Sequence, residues 1–295
     1  MRALKHYLGL ALGLASLTAC ERVVSITLPN SPPRLVVEAR LERIRGAVTG
    51  KQEIHLTRSD GYFARGEPSP ALGANVRVTD SAGRVFPFFA SGTRPGYYET
   101  STLEIQTGAL YTLRIGLNGE EFTATERVEP GVPIDSLYAA LADGQGSAGV
   151  GPPATGGGLR ASLNFVDPKG QKNFYLWDHF INGKRSVVTD TTEFGFYRAV
   201  ASDELFDGIT VVKFQPYGGV QVFAGQQIML RRIAISAQAY RFYNALSIQA
   251  TNDGSPFSVQ PTSVRGNVSN VTNPGRPALG YFIAGEVVEA RLRVP

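Results

Sequence analysis

The amino-acid sequence predicts an all-β protein, an N-terminal immunoglobulin-like β-sandwich followed by a second β-rich domain with one packed helix. Turn formers are abundant, with 33 Gly and 18 Pro among 295 residues, and aromatic residues reach 10%. Apolar runs are short and rich in aromatic and β-branched residues, as strands require. Helical periodicity is confined to one segment near the C-terminus. At 43% hydrophobic and 18% charged, the chain is too apolar for disorder and long enough for two cores.

Residues 1–19 read as a lipoprotein signal peptide. Arg2 and Lys5 form a positive start, Tyr7 to Leu17 an apolar run too short to span a bilayer, and Leu17-Thr18-Ala19-Cys20 resembles a bacterial lipobox. In such a motif the Cys20 thiol takes a diacylglycerol, the chain is cut before it and the new amine is acylated. This accounts for the lone cysteine. Several acyl chains, at about 0.8 kcal/mol per buried methylene, anchor durably where one would be marginal. Residues 20–33, with Pro29, Pro32 and Pro33, read as the lipidated tether.

Residues 34–130 carry the sandwich pattern, with strands expected at Leu35–Leu41, Glu53–Arg58, Asn75–Asp80, Tyr97–Thr100, Leu110–Leu117 and Glu121–Val128. The last two form a hairpin. Tyr111, Leu113, Ile115 and Leu117 alternate onto one face, and Asn118-Gly119 supplies a turn of positive φ. Glu129-Pro130-Gly131-Val132-Pro133 then interrupts any strand, because neither proline donates to a ladder, and it marks the expected domain boundary.

Residues 131–295 form the expected second domain. Strands are predicted at Ile134–Leu141 and Leu159–Val166, joined by a loop at 142–158 that holds seven glycines. Asp167-Pro168-Lys169-Gly170 suits a type I turn with Pro at its second position, and Asn173–Ile181 ends at the hairpin signal Asn182-Gly183. Further strands are expected at Arg185–Thr189, Ile209–Gln215, Gln221–Phe223, Gln227–Ile235 and Gly280–Val294. The helix is placed near 237–251, capped by Ser236, with Ala239, Phe242, Tyr243, Leu246 and Ala250 on one face.

Several function classes drop out. Without residues 1–19, which contain Arg2 and Lys5, the remaining Lys and Arg exceed the 25 acidic residues by two, and they form no basic run, so nucleic acid is excluded as a partner. One cysteine excludes an internal disulfide and a cysteine-rich metal centre. Past the leader two histidines remain, His55 and His179, in different expected domains. No nucleophile elbow, zincin helix or Walker loop is present, and the G-x-G-x-x-G match at 144–149 lacks the following helix that a pyrophosphate site needs. Asp167, Asp178, Asp190, Asp203, Glu204 and Asp207 show no spacing that selects an acid-base pair, and turn and cap roles suit Asp167, Asp203 and Asp207. No catalytic, cofactor or metal residue is assigned. In Asn173–Phe180 both parities carry aromatics, so either both sheet faces are covered or one is a contact surface. Tyr175 and Trp177 are the candidate ligand or partner contacts.

Taken in order, Arg34-Leu35-Val36-Val37-Glu38-Ala39, Gly73-Ala74-Asn75-Val76-Arg77-Val78-Thr79-Asp80, Val132-Pro133-Ile134-Asp135-Ser136, Phe165-Val166-Asp167-Pro168, Ile235-Ser236 and Leu279-Gly280-Tyr281-Phe282 resemble the Bacteroidota lipoprotein family defined by domain of unknown function 4249. The resemblance spans nearly the whole mature chain. It implies an outer-membrane lipoprotein encoded beside a TonB-dependent receptor and serving it as an accessory in nutrient capture. The expectation is therefore a non-enzymatic lipoprotein, held on the membrane through Cys20, that binds or presents a nutrient, glycan or peptide ligand to such a receptor. An envelope structural or adhesion protein, and a carboxylate-dependent glycan or peptide hydrolase, stay open as alternatives.

Overall fold

A computed structural model describes residues 32–47, 50–61, 64, 66–141, 158–186, 199–204, 206–216, 220–250 and 264–295. Among these the protein is nearly all β, with sixteen strands and one helix. The first half holds β1 (Leu35–Ile44), β2 (Gln52–Arg58), β3 (Asn75–Asp80), β4 (Val85–Ala90), β5 (Tyr97–Thr100), β6 (Leu110–Leu117) and β7 (Glu120–Arg127). The second holds β8 (Ser136–Leu141), β9 (Leu159–Val166), β10 (Phe174–Ile181), β11 (Lys184–Arg185), β12 (Val200–Ser202), β13 (Thr210–Phe214), β14 (Gln227–Ala234), α1 (Ala237–Ala250), β15 (Ser269–Asn270) and β16 (Leu279–Arg293). The strands expected from alternation are present within a few residues. Two expected strands differ. Of the expected Arg185–Thr189 strand only Arg185 lies in β11, residues 187–189 being outside the described residues; Val222 makes an isolated bridge to Leu159 rather than a strand. The G-x-G-x-x-G match at 144–149 also falls outside them.

Local chemistry sets the turns. Asn118 and Gly119 have φ of 52° and 78°, and Asn182 and Gly183 have 50° and 77°, the paired positive values of the tight hairpin turn. The turn after β9 differs from the expectation: Gln171 N donates to Pro168 O and Gly170 has φ of 74°. It is thus shifted by one residue and puts glycine where φ must be positive.

The strands fall into a 13-stranded sheet of order β11-β10-β14-β16-β1-β2-β5-β4-β3-β6-β7-β15, with β12 beside β10, and a three-stranded sheet β13-β9-β8. The long path folds over itself at β4, whose Val85–Phe88 stretch pairs with β3 while Phe89 and Ala90 pair with β5. The two arms enclose one apolar core that includes Val37, Leu41, Leu56, Val78, Leu113 and Phe122. That core is completed from the far end of the chain by Val268, Ala278, Phe282 and Ala284, because β16 lies parallel against β1 from Val36↔Leu279 to Ile44↔Val287. The chain crosses the expected boundary at 129–133 without a helix or strand, but Glu286 N donates to Glu129 O and Gly131 N to the Glu286 carboxylate.

Around β10 and β14 both faces of the large sheet are covered. One packs on the small sheet through Leu163, Phe165, Tyr175, Trp177, Phe214 and Leu230. The other packs on α1 through Leu176, Ile233, Tyr281, Ala239, Phe242 and Tyr243. Ser236 caps the helix, its Oγ accepting from Ala239 N at 3.2 Å. The buried stripe continues through Ser247, whereas Leu246, expected on it, is 43% exposed.

Candidate functional site

Of the residues singled out in the sequence, Cys20 lies outside the described residues. Tyr175 and Trp177 are each 1% exposed, so they are core rather than contact surface. Their rings lie 6.3 Å apart, and the Phe214 ring is 5.6 Å from Trp177. Strand parity had allowed either covering or contact, and the small sheet β13-β9-β8 supplies the covering.

Inside this aromatic layer stands Arg232, 1% exposed, opposite Trp177 in the β10–β14 ladder. Its guanidinium lies 4.5 Å from the Phe165 ring centroid, 4.9 Å from Tyr175 and 5.5 Å from Trp177. Nη2 donates to the carbonyls of Val132 and Pro133. Burial pulls its pKa down to about 10, a shift that the nearby Tyr175, Asp167 and Asp135 oppose. Arg232 thereby holds the segment between the halves against the sheet, a clamp rather than an open site.

The carboxylates of the second half are mostly committed to backbone. Asp203 accepts from Asn173 N at 2.6 Å and Asp207 from Gly170 N at 2.6 Å. Asp167 accepts from the Tyr175 hydroxyl at 3.2 Å and from Gly208 N at 3.3 Å. Glu204 is exposed and Asp190 lies outside the described residues. Among the described residues no three His, Cys, Asp or Glu side chains converge as metal ligands.

The surface that does gather chemistry is the outer face of the large sheet, opposite the sandwich core. Alternation along β1 and β2 puts Glu38, Arg40, Glu42, Glu53 and His55 there, and β14 adds Arg231. A cavity of about 470 Å³ opens among them, lined by Arg40, Glu42, Lys51, His55, Tyr97 and Arg231. Three of the lining arginines converge on Asp178, whose side chain is 2% exposed: Arg40 lies 2.9 Å, Arg185 3.0 Å and Arg231 3.8 Å from its Oδ2. Arg231 also bonds Glu42 at 2.7 Å and Glu289 at 3.0 Å. Burial disfavours the Arg40 charge, but Asp178 and Glu42 outweigh it and raise its pKa.

At the β5 side, Arg94 bonds Glu53 and, at 2.7 Å, Glu99; Lys51 bonds Glu99 at 2.6 Å. Hydrogen bonds from Lys51 and Arg94 pull the Glu99 carboxyl down to about 2, and Arg94 lowers Glu53. His55 stacks on Tyr97 at 4.1 Å, and the Arg94 guanidinium sits 4.3 Å from the same ring. The arrangement holds charge in fixed places and favours the ionised forms of Glu53 and Glu99, which suits recognition better than proton transfer. Sequence reasoning did not single out Arg40 and Arg231. The available signal was a charged residue inside an apolar strand, Asp178 within FYLWDHFI and Arg231-Arg232 within QIMLRRIA.

No curated protein matches the chain. Among solved structures it is similar to the Yersinia pseudotuberculosis adhesin InvE at 18% identity and a TM-score of 0.20, with 68% of this chain and 55% of that one covered. So low a score carries no argument about function, and the chain spans about half the length of that structure. The family model described as domain of unknown function DUF4249 matches residues 21–291, and the chain belongs to that family.

Proposed function

We propose that the protein is a non-enzymatic lipoprotein of the outer membrane, anchored through Cys20, that binds or presents a ligand to a TonB-dependent receptor. The observation that carries the binding part is the outer-face ionic network, in which Asp178, Glu42, Glu53 and Glu99 all meet arginine or lysine. A general acid needs a carboxyl that holds its proton near working pH. Glu99, pulled down to about 2, and Glu53, lowered by Arg94, are tuned the opposite way. The anchoring part is supported by the leader and by Leu17-Thr18-Ala19-Cys20. The receptor is proposed by resemblance to the family's lipoproteins.

Deleting the gene tests the reading. Uptake of at least one substrate of the neighbouring receptor should fall and return with the wild-type gene. Unchanged uptake of every such substrate would remove the receptor role and shift the weight to adhesion.

A further inference from the structure

We propose that the end of the large sheet formed by β10, β14 and the C-terminal part of β16 is a binding site for a small amphiphilic anion, a carboxylate or phosphate head on a short apolar body. It goes beyond the proposed function: the site is a cavity separate from the one lined by Glu42, Lys51 and Glu53, and it depends on neither the anchor nor the receptor.

Register brings the site together. Arg185, Phe180, Met229 and Arg291 face one another in a row across β11, β10, β14 and β16. Arg293 follows two residues beyond Arg291 on the same face, opposite Gln227. With strands about 4.8 Å apart, the row spans roughly 14 Å. A cavity of about 360 Å³ opens on it, lined by Phe180, Gly183, Gln227, Met229, Arg291 and Arg293. That volume is in the range of small-molecule sites.

Charge and relief specify the ligand. The Arg291 side chain is 73% exposed and spends one nitrogen on Glu289 at 3.0 Å, while Arg293 is exposed and has no carboxylate within ion-pair distance among the described residues. Arg185 closes the other side of the row, 5.6 Å from the Phe180 ring centroid. Its carboxylate partner Asp178 and the Arg291 partner Glu289 are both shared with Arg231, so cations are in excess. The guanidiniums stand proud while Phe180 and Met229 are half-buried between them. An apolar floor recessed below a cationic rim takes a single amphiphile, head on Arg291 and Arg293 and body over Met229 and Phe180. It does not suit insertion into a bilayer, where apolar side chains must protrude past the charges.

The test titrates the full chain carrying Cys20→Ser, which removes the acylation site, with 4-butylbenzoate, with its neutral amide and with acetate. The benzoate should bind saturably and about tenfold or more tighter than the amide, with acetate far weaker, as charge and apolar contact both contribute. Arg291→Ser with Arg293→Ser should lower benzoate affinity about tenfold, and Met229→Gln should weaken it with the thermal midpoint unchanged. Equal affinity for benzoate and amide, an unaffected double variant, or binding only to phosphatidylglycerol vesicles would each overturn the proposal. A chain that binds benzoate but whose deletion leaves uptake unchanged keeps this site and loses the receptor; the converse result does the reverse.

Discussion

His179 is 1% exposed, its Nδ1 lies 2.5 Å from the Ser186 hydroxyl, and burial pulls its pKa down to about 4. A histidine whose folded pKa is below the unfolded value favours the folded state when neutral. Its contribution is complete above about pH 6.5 and is lost as pH falls toward 4, roughly 3 kcal/mol in all. Glu126 acts oppositely, since burial raises its carboxyl despite bonds from Tyr281, Ser236 and Asn267, and protonation there favours the fold. The expected outcome is therefore a difference between proteins: urea unfolding should show wild-type stability falling more steeply than that of His179→Gln between pH 6.5 and 4. At the aromatic layer, Trp177→Ala should cost about 3–5 kcal/mol by the same measurement, as a buried large-to-small change does. A surface contact residue would cost far less. The identities of the core aromatics were legible in the sequence, but their setting was not, since parity alone cannot say what covers a sheet face. The Arg232 clamp was illegible for a related reason, because its carbonyl partners Val132 and Pro133 are about 100 residues away in sequence.

At the scale of elements, alternation and turn chemistry located most strands, and α1 was found from its period and from Ser236. β4 was missed because Pro87 sits inside it, and proline argues against a strand. The structure tolerates Pro87 where the strand passes from β3 to β5, on an exposed stretch. β12 and β15, of three and two residues, are too short to carry a period. The β1–β16 pairing joins residues more than 240 apart, beyond any local signal. Its weak point is Gly280, with φ of 84° and a virtual Cβ only 2.1 Å from Val37 O. Both the backbone conformation and the space require glycine. Gly280→Ala should destabilise the protein by about 3 kcal/mol or more, read as a lowered denaturant midpoint; a change under 1 kcal/mol would show that β16 relaxes there freely.

For the whole molecule, β16 closes the sandwich core and also carries β14 and α1. The described residues from Pro33 onward fall in one compact unit apart from the stretch 61–64. Residues 34–130 alone would lack Val268, Phe282 and Ala284 and would expose the full edge of β1. That fragment is expected to be aggregated or unfolded by heteronuclear NMR, while the full chain unfolds in one transition. The all-β class was readable from composition and turn residues. The surface network was not, since Arg40, Asp178 and Arg231 meet only once β1, β10 and β14 are placed. The central claim, an anchored binder that works with a receptor, is tested most directly by tagging the C-terminus, solubilising native membranes gently and identifying what co-elutes. A TonB-dependent receptor is expected in near-stoichiometric amount, together with a chain that begins at an acylated Cys20. A protein that elutes alone, or with an unmodified Cys20, would contradict it.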